Sequence, residues 1–123
     1  MVLLLKNPIY TRPIIINMRK ITQDAIKALY ENKNFKRGNT EVRRGIIPCL
    51  LLHGTIIAKL TLFEGLCISS GGWYTVTTKE RLNGLDGVHI YQKDFTWYLN
   101  DRQWKGDWVS VEAFTKYGRY LFD

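Results

Sequence analysis

The stretch Cys49-Leu50-Leu51-Leu52-His53-Gly54-Thr55-Ile56-Ile57-Ala58-Lys59-Leu60-Thr61-Leu62 decides how the rest of the chain is read. Two apolar runs, residues 49–53 and 56–62, flank Gly54-Thr55, and a glycine between such runs marks a hairpin. Both faces of each run are apolar. A strand with one face in water alternates with polar residues, so this hairpin is expected at the centre of a sheet and covered on both sides. Residues 66–69 read as a third strand and residues 41–44 as a short polar one.

Working outward, residues 22–33 predict an amphipathic helix. Ile21, Ala25, Ile26 and Leu29 share one face at helical spacing, with Thr22 as cap and Asp24 near the positive helix start. Thr77-Thr78-Lys79-Glu80 matches a capping box, which predicts a short helix over 78–84 with Leu82 and Leu85 facing inward. Residues 88–92 and 96–99 alternate and are aromatic-rich, joined by Lys93-Asp94-Phe95. Asn100-Asp101 turns into Arg102-Gln103-Trp104, and residues 108–111 are a last strand candidate. Ala113, Phe114, Tyr117, Tyr120 and Leu121 have helical spacing that Gly118 weakens. Before residue 17, Pro8 and Pro13 confine any strand, best placed at 14–16, to a sheet edge. The expected fold is α+β: one domain over 1–123, a mostly antiparallel sheet of about five strands, one longer helix and one short one.

With 123 residues, one domain with its own core is expected. No apolar run approaches the ~18 residues of a membrane span, and the run at 2–5 is too short for a signal peptide, so no membrane partner and an intracellular place are expected. Two cysteines make no disulfide framework. The net charge of +7 is uneven. Residues 1–59 hold 11 Lys+Arg against three acids, whereas residues 60–123 are close to balanced. A net positive chain cannot imitate the charge of DNA. The densest stretch contains Lys33, Phe35, Lys36, Arg37, Arg43 and Arg44. Such a strip steers anionic partners, although a charge run is commonly only a solvated surface.

The residues that catalysis needs are not arranged for it. Cys49, His53, Cys67 and His89 are zinc-type ligands, but they lack a C-x₂-C pair, so no metal and no cofactor are expected. Ser69 and Ser70 sit in no nucleophile elbow, and no phosphate-binding glycine motif occurs. Glu80 is accounted for by the capping box, Asp86 and Asp101 by turns, and Asp94 and Asp107 by loops. A non-catalytic protein is therefore expected. Tyr91, Phe95, Trp97, Tyr98, Trp104 and Trp108 form an aromatic cluster. Most should fill the core, but Trp97 and Tyr98 face opposite sides of one strand, which leaves aromatic surface for a partner.

Three stretches carry a resemblance: Lys20-Ile21-Thr22-Gln23 leading to Gly38-Asn39-Thr40; the L-H-G-x-x-I-A-K segment ending at Lys59; and G-W-Y-T-x-T-T-K-E-R-L-N from Gly72 to Asn83 with W-Y-L-N from Trp97 to Asn100. Together, over about residues 19–111, they resemble a family of small tailed-bacteriophage proteins of uncharacterised function. Two departures bear on packing: Asn100-Asp101 replaces an Asn-Gly turn, and Ile46-Ile47-Pro48-Cys49 is bulkier than the pattern. The resemblance implies a phage gene outside the virion and replication core, in the cytoplasm of an infected bacterial host, and it transfers no catalytic residue. Two binding readings follow. In the favoured one the protein docks on a host protein with an acidic surface, in host takeover or counter-defence, with exposed aromatics as anchors. In the alternative the strip Lys33, Lys36, Arg37, Arg43 and Arg44 contacts nucleic-acid phosphates while Phe35, Tyr91 or Trp97 meets a base. A homodimer through an apolar edge within residues 2–16 is a further expectation.

Overall fold

A computed structural model describes residues 18–121. Within it the hairpin of the opening stretch lies at the middle of a six-stranded sheet. The strands are β1 (Phe35–Arg37), β2 (Thr40–Arg43), β3 (Cys49–Leu52), β4 (Thr55–Thr61), β5 (Gly65–Ile68) and β9 (Val109–Ser110), ordered β1-β2-β3-β4-β5-β9, each pair antiparallel. A separate three-stranded sheet holds β6 (Ile90–Lys93), β7 (Thr96–Leu99) and β8 (Arg102–Gln103). The α+β class is as expected, but nine strands in two sheets replace the expected five or so. The expected strand at 14–16 and the apolar edge within 2–16 lie outside the described residues.

The core follows from register. Val42, Leu50, Ala58, Ile68 and Val109 form one cross-strand row, and all are buried. Helix α1 (Lys20–Tyr30) covers β1–β3 with Ala25, Ala28 and Leu29, and Trp104, Leu82, Leu85, Leu99 and Phe114 are among the others in the same cluster. Fully burying one such aliphatic side chain is worth roughly 1.5–3 kcal/mol. The next row, Arg43, Cys49, Lys59, Cys67 and Ser110, lies on the opposite face. Lys59 stands between the two cysteines, which are both free. They sit two strands apart, beyond the Cα reach of a disulfide.

The helices differ from expectation in instructive ways. Helix α1 begins at Lys20, not at residue 22, and Thr22 is buried inside it rather than capping it. It ends at Tyr30, not at residue 33, because Asn32 turns left-handed (φ 57°). The Asn32 N–H then donates to the Leu29 carbonyl and the Lys33 N–H to that of Ala28, closing a Schellman motif. Helix α2 (Val76–Leu82) starts two residues before the expected 78–84 helix. Its cap is Thr75, whose hydroxyl accepts from the Thr78 N–H, so Glu80 takes no part in a capping box. Helix α3 (Val111–Tyr117) is capped by Ser110 and stops at Gly118, in the left-handed conformation at φ 69°. Gly118 ends this helix rather than weakening it.

Three hairpins turn on pairs of residues with positive φ: His53-Gly54, Asp94-Phe95 and Asn100-Asp101. This is the twist that two-residue hairpins favour. His53 therefore lies in a turn, 4.8 Å from the Trp73 ring, and not on the strand face of Cys49 and Leu51. Asp101 adopts the backbone that glycine would take in the resembling pattern.

Candidate functional site

The basic strip becomes the β1–β2 hairpin at one edge of the large sheet. β1 itself was not expected; Phe35 makes it a strand by packing half-buried against the core. Three of the strip's five cations are already held by carboxylates. Arg37 donates to Asp24 at 2.9 Å, Arg43 to Glu41 at 3.0 Å, and Lys33 lies 3.4 Å from Glu31. Hydrogen bonds from Lys20 and then Arg37 hold the Asp24 carboxyl below its ordinary range, and the bond from Arg43 does the same for Glu41. The Arg37 guanidinium also covers the Phe35 ring at 5.1 Å. Among the described residues, Lys36 and Arg44 are the strip cations whose side chains are in no ion pair.

The aromatic cluster divides by strand face. Trp97 is buried, with Tyr74 edge-on at 5.3 Å, Trp104 at 6.2 Å and the Lys79 ammonium over its ring at 5.4 Å. It is core and is closed to a partner, which corrects its place among the contact residues. Tyr91 is on the other face, stacked nearly parallel on Tyr98 at 5.3 Å with His89 beside it. Its hydroxyl donates to Asp101 at 3.0 Å, and that bond raises the phenol's pKa. The most exposed aromatic of the cluster is Phe95 at the β6–β7 tip, 95% exposed, with φ 63°. A left-handed backbone costs a residue bearing Cβ roughly 1–2 kcal/mol, and this ring recovers nothing by burial.

A buried junction was missed altogether. Arg81 is 1% exposed. Its Nε donates to the Thr40 hydroxyl at 2.9 Å, its Nη1 to the Thr22 hydroxyl at 2.9 Å, and it is paired with Glu80 at close range. Glu80 also accepts from the Thr22 hydroxyl at 2.5 Å and from the Arg19 N–H at 3.2 Å. Three separated motifs, K-I-T-Q, G-N-T and T-T-K-E-R-L-N, thus meet at one point. The signal was present: helical spacing puts Thr78, Arg81, Leu82 and Leu85 on one face, and an arginine there needs buried partners.

Two motif asparagines are structural as well. The Asn83 amide donates to the Ile90 carbonyl at 3.0 Å and accepts from the Ile90 N–H at 2.6 Å. Asn100 accepts from the His89 N–H at 2.9 Å and donates to the Gly87 carbonyl and the Thr115 hydroxyl, each at 2.8 Å.

Among the described residues no group of three or more His, Cys, Asp or Glu could hold a metal ion. Burial pushes the thiols of Cys49 and Cys67 up, away from a reactive thiolate. No helix of the described residues is long and apolar enough to cross a membrane.

At one end of the large sheet, folding again leaves apolar groups uncovered. The Leu60 N–H donates to the Pro48 carbonyl at 3.0 Å, which carries the β3–β4 pairing past Cys49↔Lys59. The 44–48 loop and the β4–β5 tip therefore leave neighbouring strands at the same end. Ile46 (82% exposed), Ile47, Leu62 and Phe63 (96%) are exposed there. Beside the tip, a groove of about 420 Å³ runs between Leu62–Gly65 and Glu112, Lys116 and Tyr117 of α3.

No curated protein and no solved structure matches the chain. A family model described as the Kyanoviridae Gp96 protein matches residues 18–118. The match contains all three resembling stretches and reaches beyond them to Gly118, the end of α3. The chain belongs to the Kyanoviridae Gp96 family of tailed cyanophages.

Proposed function

We propose that this phage protein acts without catalysis, by binding a protein of the infected host in host takeover or counter-defence, and that Phe95 is its anchor. One observation carries the reading: a bulky ring held fully exposed in a backbone conformation that glycine adopts at lower cost. The hairpin's twist accounts for the left-handed backbone but not for a phenylalanine in it, and a residue that folding does not explain points toward function. An aromatic anchor entering a pocket is the usual centre of a protein contact. Lys93 precedes the tip on the Tyr91 face of the hairpin, and Lys79 flanks the opposite face, over Trp97. They suit a partner pocket with an acidic rim. The nucleic-acid reading has less support, because the strip's cations are largely paired and Phe35 is covered.

The test uses the full chain as bait in host lysate, beside Phe95→Gly, with polarisation binding to labelled DNA and RNA in parallel. We expect one host protein retained by the wild type and lost with Phe95→Gly, and nucleic-acid binding that vanishes by physiological salt. Equal retention by both baits would sink the anchor. Nucleic-acid binding that persists at that salt and weakens with Arg43→Ala plus Arg44→Ala would install the alternative.

A further inference from the structure

The end of the large sheet that carries Ile46, Ile47, Leu62 and Phe63 has an ordered charge layout. Strand order fixes it. On the β2 side stand Arg44, in no ion pair among the described residues, and Arg43, paired with Glu41 at 3.0 Å; the Arg44 and Gly45 N–H groups donate to Asn34 and Asn32 at 2.9 Å, which pins this loop beside the end of α1. In the middle come the four exposed apolar residues. On the β5 side stand Glu64 and Glu112 with the 420 Å³ groove, and an adjoining concavity of about 340 Å³ adds Asp86. Lys116 is the groove's cation, and it is paired with Glu112 at 2.9 Å. The sequence across this end therefore reads basic, apolar, acidic.

From this we infer that the end is a dimer interface, taken by the same end of a second copy about a two-fold axis. A two-fold contact brings one patch onto itself, so the patch must be self-complementary. This one is. Rotation by half a turn about the apolar middle lays Arg43 and Arg44 of one copy over Glu64 and Glu112 of the other, twice. It also packs Ile46, Ile47, Leu62 and Phe63 against their own copies. A partner of one charge sign would satisfy one flank and be repelled by the other. The surface is distinct from the Phe95 tip, and the inference stands without the proposed function.

Sedimentation equilibrium of the full chain at tens of micromolar, in physiological salt, tests it. The expected wild-type mass is twice that of the chain. Phe63→Ser, at an exposed tip, should give a folded monomer whose melting temperature no longer rises with protein concentration, as that of the wild type should. Charge reversal supplies the sharper arm. Arg43→Glu with Arg44→Glu, and separately Glu64→Lys with Glu112→Lys, should each raise the dimer Kd roughly tenfold or more. An equimolar mixture of the two reversed variants should recover the dimer, because both flanks then meet opposite charge. A monomeric wild type overturns the inference. So does a reversed pair that dimerises alone, a mixture that stays monomeric while both variants are folded, or a mass that climbs with concentration without a plateau, which marks a head-to-tail chain.

Discussion

Arg81 and Phe95 are opposite exceptions to one rule. The first is a charge in the core, the second a phenyl ring in water. Their surroundings differ in a way that separates structure from function. Around Arg81 the donors have been met by groups brought from α1, β2 and its own helix, so folding explains the residue. Around Phe95 nothing is met: the ring is exposed and the backbone is in a region that disfavours it. A compensated exception is architecture. An uncompensated one asks for something outside the chain.

The largest effect should come from the compensated side. Arg81→Ala takes the cation from Glu80 and one donor each from the Thr22 and Thr40 hydroxyls, and denaturant unfolding should show a loss of about 3–5 kcal/mol. Replacing the set together, Thr22→Val with Glu80→Leu and Arg81→Met, should recover most of it, because an apolar filling leaves no orphaned group. If Arg81→Ala is neutral, the junction is not what holds α1 and α2 to the sheet. Next in size is the opposite sign at the other exception. Phe95→Gly should stabilise the fold by roughly 0.5–1 kcal/mol, relief of the left-handed strain exceeding the chain entropy that glycine adds. A loss of stability there would mean that the ring packs on something, and the contrast with Arg81 would collapse.

The smallest effect belongs to the paired strip. Asp24 and Glu41 have carboxyls lowered by their cations. A lowered carboxyl contributes stability that is present above its unfolded value and lost as pH falls through the folded one. The melting temperature should therefore sag slightly between about pH 5 and pH 3. Asp24→Asn with Glu41→Gln should flatten that limb. Both carboxylates are at the surface, where such pairs contribute little, so a steep limb would point to other groups.

Much of this was legible in the chain. The central hairpin announced itself because both faces of β3 and β4 are apolar, and α1 because Ala25 and Leu29 recur at helical spacing. What failed to read was long-range. Glu80 had a sufficient local explanation in a capping box, while its partner Thr22 lies 58 residues away. β1 has no apolar period of its own; Phe35 becomes a strand residue only because the core is there to receive it. β8 and β9 are two residues each and exist through their neighbours. Trp97 was a coin with two faces, and only the packing of Tyr74 and Trp104 decides which one is inward. Phe95 looked like part of a connector, since nothing in a turn sequence states that a ring will stay uncovered.

The two sheets share no ladder; the small one is tied to the rest by the buried side chains of Ile90, Trp97 and Leu99 and by the side-chain amides of Asn83 and Asn100. With short strands and no backbone ladder to the large sheet, β6–β8 should open at a lower free energy than β3 and β4, which amide hydrogen exchange would read. On that expectation the hairpin that carries Phe95 would yield while the six-stranded sheet stays closed.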